Sequence, residues 1–239
     1  MNSNKNSGFK RGSFEYVEIK AHVSWGANSK INEDSMVFNA GDSIHCVSQA
    51  LGLCQIGTGG CFMQKCEKRY PALAPYHSRQ GTLWSKYNAE KFAYTLLNIA
   101  NDARTKEFTE FRYGESGDFK NQKQLDWFDN VCAILTLAGV VCYGYTARTD
   151  LNLYGLIKSS QVNLSNDDYN SIAFQNAGAN RFKAVLEYSG DNPICPCPAI
   201  EAMNKVNRKK IGKSYKKIHP CGTCNLCKTH TGIIEEIIT

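Results

Sequence analysis

The chain has 239 residues, a mass of 26.6 kDa, and a formal net charge of +6 with a pI near 8.7. Hydrophobic residues make up 42% and aromatics 11%, which excludes a disordered chain and suits one domain of α/β-barrel size or a domain with a small appendage. No apolar run approaches the roughly 20 residues that span a bilayer. The opening stretch MNSNKNSGFKRGSFE lacks the apolar core of a signal peptide, so no membrane is expected and the cytoplasm is the expected compartment.

Residues 1–13 read as a flexible lead-in. Residues 14–23, FEYVEIKAHV, are mostly β-branched and aromatic and predict an opening strand. The segment HCVSQALGLCQIGTGGCFMQKC follows, rich in glycine and turn formers, and predicts a loop with little helix of its own. A helix is predicted from Trp84 to Arg104, with Phe92, Leu96 and Ile99 on one stripe. A short strand in EFTEFRY leads into a turn over 114–118. A second helix is expected from about Gln122 to Leu137, with Leu125, Phe128, Cys132 and Leu135 on its buried face and Gly139 as its stop. VVCYGY reads as a buried strand, QVNLS and FKAVLEY as two more, and Asp167 with Asp168 as a helix cap. Cys132 and Cys142 read as core thiols. The alternation predicts βαβ units around a parallel sheet, either a partial (βα) barrel or an open sheet, over 14–190. From Asp191 the composition turns to Pro, Cys and Lys, which places a metal-binding tail over 191–239.

Eleven cysteines in a reducing compartment argue for metal ligation over disulfides, and the odd count agrees. The first set is Cys46, Cys54, Cys61 and Cys66. Thiolates must converge to about 2.3 Å from a zinc ion, and a Gly-rich loop lets the backbone curl to do this. The spacing matches no simple zinc ribbon, and Cys66 is the member best read as a core thiol. The second set is Cys195, Cys197, Cys221, Cys224 and Cys227, with His219 and His230 nearby. Its overlapping CxxC pairs each put two sulfurs on one side of a knuckle, the pattern of a structural site. Between Lys205 and Lys217 the chain holds Arg208, Lys209, Lys210, Lys213, Lys216 and Lys217 with no acid among them. That run reads as phosphate contact, with Tyr215 available to stack on a base, or as a solvated face of the knuckle.

Glu115 and Asp118 lie in the turn after a strand, where parallel α/β folds place their chemistry. Tyr145, Thr146 and Arg148 end the next strand and can face the same mouth, with Arg148 able to grip a carboxylate or phosphate through two N–H groups.

In order along the chain, Asn28-Ser29-Lys30, the thiols Cys46, Cys54 and Cys61, Arg69-Tyr70-Pro71, the turn Glu115-Ser116-Gly117-Asp118-Phe119, Tyr143-Gly144-Tyr145-Thr146-Ala147-Arg148 and the terminal CGTC knuckle resemble the phage and plasmid "gene product 88" family. Cys61-Phe62-Met63, where the family has Cys-Tyr-Ala, and the extra Cys66 are departures. The family in turn resembles radical S-adenosylmethionine (SAM) enzymes. That resemblance implies three thiolates, Cys46, Cys54 and Cys61, holding a [4Fe–4S] cluster whose open iron takes SAM. It also implies Glu115, Asp118, Tyr145 and Arg148 beside the reacting groups and, for a phage-encoded chain, location in the host cytoplasm. The tight Cys-x3-Cys-x2-Cys spacing of those enzymes is missing here. The expected function is therefore a metal-cluster enzyme acting on nucleic acid or a nucleotide. Its rivals are a zinc-dependent, base-exchanging transglycosylase-like barrel and a non-enzymatic, zinc-stabilised nucleic-acid-binding protein.

Overall fold

The computed structural model describes residues 8–26, 33–54, 61–103 and 107–165 in full, and the backbone of 180–185, 194–196 and 233–237. Among these the chain is mixed α/β, with seven helices on a mostly parallel sheet. In chain order the elements are α1 (Phe14–Ala21), β1 (Ser24–Trp25), β2 (Ser35–Phe38), α2 (Val47–Ala50), α3 (Phe62–Arg69), α4 (Leu73–Lys86), α5 (Ala89–Asp102), β3 (Glu110–Tyr113), α6 (Gln122–Leu137), β4 (Val141–Thr146), α7 (Tyr154–Ser159), β5 (Gln161–Leu164), β6 (Asn180–Val185), β7 (Ile194–Pro196) and β8 (Ile233–Ile237).

The strands lie in the order β1-β2-β3-β4-β5-β6-β8-β7. Only β1 is antiparallel to its neighbour. From β2 to β6 each strand lies beside the next in sequence, with Met36 opposite Phe111 and Phe111 opposite Cys142. This is the sequential connectivity expected of helix-linked parallel strands, short from β3 to β5 and long between β2 and β3, where residues 39–109 carry α2 to α5. It puts the C-terminal ends of β2, β3 and β4 side by side.

The core between sheet and helices is aromatic. Phe38 packs 4.9 Å from Phe92, Phe92 4.8 Å from Trp127, and Phe119 5.3 Å from Phe128, measured between ring centroids. Phe38, Phe92, Phe119 and Phe128 are fully buried, and each such ring contributes roughly 1.5–3 kcal/mol by leaving water. α6 has the predicted bounds, and Leu125, Phe128, Cys132 and Leu135 face the core as expected. Asn121 caps it by accepting from the Gln124 N–H, and Gly139 follows with φ +87°. Cys132 and Cys142 are buried thiols.

Three expectations are corrected. Residues 14–23 are not a strand. Ser13 caps α1 by accepting from the Tyr16 N–H, and Tyr16 and Ile19, three residues apart, are buried on one helical face. Helical spacing and a cap outweigh the β-branched composition, and strand pairing is left to Ser24 and Trp25 alone. The Cys46–Cys66 segment is not bare loop, because it includes α2 and α3. The single helix predicted from Trp84 is two, since Asn88 opens α5 by accepting from the N–H groups of Glu90 and Lys91. The expected lead-in is anchored over its described part: the Phe9 N–H donates to Thr95 Oγ1 at 2.9 Å, and the Phe9 ring meets Tyr87 edge-on. The cap proposed at Asp167 and Asp168 lies outside the described residues.

Where the loop after β2 meets the turn after β3, backbone touches backbone. Gly117 has φ +64°, and a Cβ there would stand 2.6 Å from the Gly41 carbonyl carbon. We expect Gly117→Ala to cost about 3 kcal/mol, the upper end for a strained backbone residue, because the neighbour is main chain and cannot swing away. Gly139→Ala, at similar φ but with nothing within 4 Å, should cost roughly 1 kcal/mol. Urea denaturation of both variants measures the difference, and equal costs would refute the close-contact argument.

Candidate metal centre at the strand ends

The chain leaves β2 at Phe38 into a loop held by buried amides. Asn39 donates to Gln80 Oε1 at 3.1 Å and accepts from the Ser116 N–H at 2.9 Å. Gln80 in turn donates to the His22 carbonyl, and Gln124 of α6 donates to the Ala40 carbonyl at 2.9 Å. A loop crossing a buried edge needs such partners, since each unmet backbone group costs about as much as a lost hydrogen bond. Asp42 then turns the chain by accepting from the His45 N–H at 2.9 Å, with the His45 ring at 2.8 Å from the same oxygen. Cys46 follows as the N-cap of α2, and Cys61 is the N-cap of α3.

Two buried carboxylates hold these thiol-bearing segments to the sheet. Asp118 accepts four hydrogen bonds, two on each oxygen: from Ser48 Oγ at 2.6 Å and the Ala147 N–H at 2.8 Å, and from Thr146 Oγ1 at 2.7 Å and the Phe119 N–H at 2.8 Å. A carboxylate offers about four lone-pair sites, so this one is filled by the protein. Glu67 of α3, 3% exposed, accepts from Ser43 Oγ at 2.6 Å, the Ser43 N–H at 3.1 Å, Ser116 Oγ at 2.8 Å and His77 Nδ1 at 2.8 Å. Gln64 adds a link between α3 and α2, donating to Gln49 Oε1 at 2.5 Å.

The two carboxylates titrate in opposite directions. Burial pushes Asp118 above the usual carboxylate range, and its four donors only partly offset that. Burial also raises Glu67, but the hydrogen bonds from His77, Ser43 and Ser116 outweigh it and leave the group below its ordinary value.

The four residues proposed for chemistry do come to one end of the sheet, in unequal states. Asp118 is saturated. Arg148 is buried, and its fork is taken: Nε and Nη2 grip the two oxygens of Asp150 at 2.7 Å each, and Nη1 donates to the Phe119 carbonyl. Glu115 and Tyr145 are half-buried, the Tyr145 ring under the Arg112 guanidinium at 5.4 Å. Of the polar side chains foreseen, these two keep exposed surface at the mouth.

Cys46, Cys54, Cys61 and Cys66 are all half-buried and outside any disulfide. Burial and then the nearby Asp118 charge push Cys46 up to about 11, and Cys54 adds to that rise. Burial likewise raises Cys66, against the pull of Arg69 and with small contributions from Glu115 and Cys61. Among the described residues no three His, Cys, Asp or Glu side chains converge as a ligand set. The donor chemistry fits zinc or an iron–sulfur cluster, four reduced soft ligands on one segment, while their positions do not describe a coordination sphere. Of the second set, Cys195 lies on the β7 backbone. Cys197, Cys221, Cys224, Cys227, both nearby histidines and the basic run Arg208, Lys209, Lys210, Lys213, Lys216 and Lys217 lie outside the described residues.

Sequence reasoning missed Glu67 and His77. The sign was there in the helical spacing: Glu67 falls on the side of α3 opposite Phe62, Lys65 and Arg69, where an acid among bases has reason to turn inward. Comparison with family models, characterised proteins and solved structures returned no match.

Glu67→Gln should lower stability by about 3 kcal/mol, because an amide cannot accept from all these buried donors. The pH dependence should change with it. The native pKa lies below the ordinary value of 4.5, so the carboxylate's contribution is complete above that pH and is lost as pH falls through the lowered value. Acid denaturation followed by circular dichroism should therefore be shallower below pH 4.5 in the variant; an unchanged acid limb would assign that transition to other groups.

Proposed function

We propose that the chain is a phage-type metal-cluster enzyme, radical-SAM-like in layout, acting on nucleic acid or a nucleotide in the host cytoplasm. In this reading the sequential parallel strands β2 to β6 form a partial (βα) barrel. The observation that carries it is the path of the thiol segment. It leaves the first parallel strand and folds back over the ends of the next two, fixed there by Ser48 on Asp118 and by Glu67 on Ser116. The ends of parallel strands are where α/β folds gather ligands. No helix among the described residues is long and apolar enough to cross a membrane.

Cys46, Cys54 and Cys61 would hold the metal group, which supplies one-electron chemistry when it is an iron–sulfur cluster. The rest is done by the chain. Asp118 fixes where Cys46 stands and, being saturated, takes no part in proton transfer. Arg148, locked on Asp150, holds the end of β4 and leaves no donor fork for a substrate. Glu115, half-buried at the same strand ends, would meet one, with Tyr145 close by on β4. Binding metal requires Cys46 to give up a proton it holds strongly, so uptake should release protons and strengthen as pH rises.

A fourth half-buried thiol on the same segment, Cys66, supports a second reading, a zinc ion closed by all four and purely structural. The four hydrogen bonds on Asp118 count against an aspartate nucleophile there, since no lone pair is left to spare. In anaerobically purified protein we expect several irons per chain, a brown chromophore, and its loss in Cys61→Ala but not in Cys66→Ala, with both variants folded. Zinc alone, lost equally on changing any of the four, would end the open-cluster reading.

A further inference from the structure

The exposed side of α3 carries a pattern that the thiol centre does not use. Phe62, Lys65, Cys66 and Arg69 fall at i, i+3, i+4 and i+7, one stripe of the helix, and Tyr70 closes it at the C-cap. Phe62 is 70% exposed and Tyr70 56%, large values for rings beside a site, and Lys65, Lys68 and Arg69 are exposed as well. The one acid of the helix, Glu67, points the other way into its network with His77, so its carboxylate is turned away from these bases. Half-buried Cys66 lies within the stripe, and Arg69 is near enough to draw its thiol toward the anion. Glu115 is the one other acid that acts on that thiol from a neighbouring segment.

From these observations we infer that the outer face of α3 is a binding platform for single-stranded nucleic acid, which it presents along the edge of the thiol centre. An eight-residue helix is about 12 Å long. Rings stand at its two ends with cations between them, which is the arrangement that stacks bases while neutralising the phosphates that join them. A membrane-seeking helix would need a continuous apolar face, and here the rings are separated by charges. The inference deepens the proposed function by naming the substrate class and its path, and it rests on that reading only for what the thiols do to the bound strand.

The test uses the full chain and a fluorescein-labelled oligothymidylate, read by anisotropy over a salt series, with metal content measured on every sample. Phe62→Ala should weaken binding roughly tenfold and leave the salt slope unchanged. Lys65→Glu with Arg69→Glu should weaken it further and reduce the slope by about 1.4, the value for two phosphate contacts on a single strand. Both variants should keep wild-type metal content and thermal unfolding, since the altered side chains are exposed. No binding by the wild type, wild-type binding by both variants, or loss only when Lys209, Lys210 and Lys213 are reversed would overturn the platform. So would equal, Phe62-dependent binding to phosphatidylserine vesicles. Oligonucleotide binding that follows these variants in protein without metal would instead sink the cluster reading and leave the platform standing.

Discussion

Asp118 and Glu67 are what the strand ends are built around. Each is a carboxylate removed from water, a placement that would be prohibitive for an isolated charge and is tolerable only when the lone pairs are met. The protein meets them from segments far apart in sequence: Ser48 and Thr146 on one, Ser43, Ser116 and His77 on the other. Asp118 cannot be satisfied until Ser48 and the end of β4 have reached the turn after β3, nor Glu67 until the loop after β2, that turn and His77 of α4 have reached it. Their placement is therefore cooperative, and the positions of Cys46 and Cys61 follow from it, because Ser48 and Glu67 stand two and six residues beyond them.

The same arrangement has an electrostatic side. A negative group beside Cys46 opposes its ionisation, and burial adds to that, so the thiol is inert toward stray electrophiles unless a cation compensates. That is a sensible resting state for a metal ligand and a poor one for a nucleophile. Arg148 could have offset the charge of Asp118 directly. Instead it is spent on Asp150, and Asp118 relies on neutral donors alone. Neutral donors leave the field of the carboxylate in place where a salt bridge would cancel it.

How much of this was legible beforehand varied with how local its cause was. α6 could be bounded to the residue because its stripe, its Asn121 cap and its glycine stop all lie within it. The turn over 114–118 could be marked because Ser-Gly-Asp after a strand has few other uses. By contrast, residues 14–23 misled because their β-branched composition conflicts with their helical spacing, and only docking on α5 decides between them. The saturation of Asp118 and the Arg148–Asp150 grip were invisible for a different reason. Both residues bear the groups an active site would use, and whether such a group faces a ligand or its own backbone depends on donors contributed by segments distant in sequence.

The position of β8 bears on how the chain is assembled. Residues 233–237 lie between β6 and β7, so Ile194 to Pro196 have their described strand partner in a segment emerging nearly forty residues later. During synthesis the run from β2 to β6 can form one neighbour at a time, with short closures from β3 to β5 and a long one, over residues 39–109, between β2 and β3. β7 must wait, with the open edge of β6 unprotected until β8 slots in. A sheet edge completed by a strand so far along the chain stays sticky for longest, and that interval is when a neighbouring nascent copy could pair with it instead.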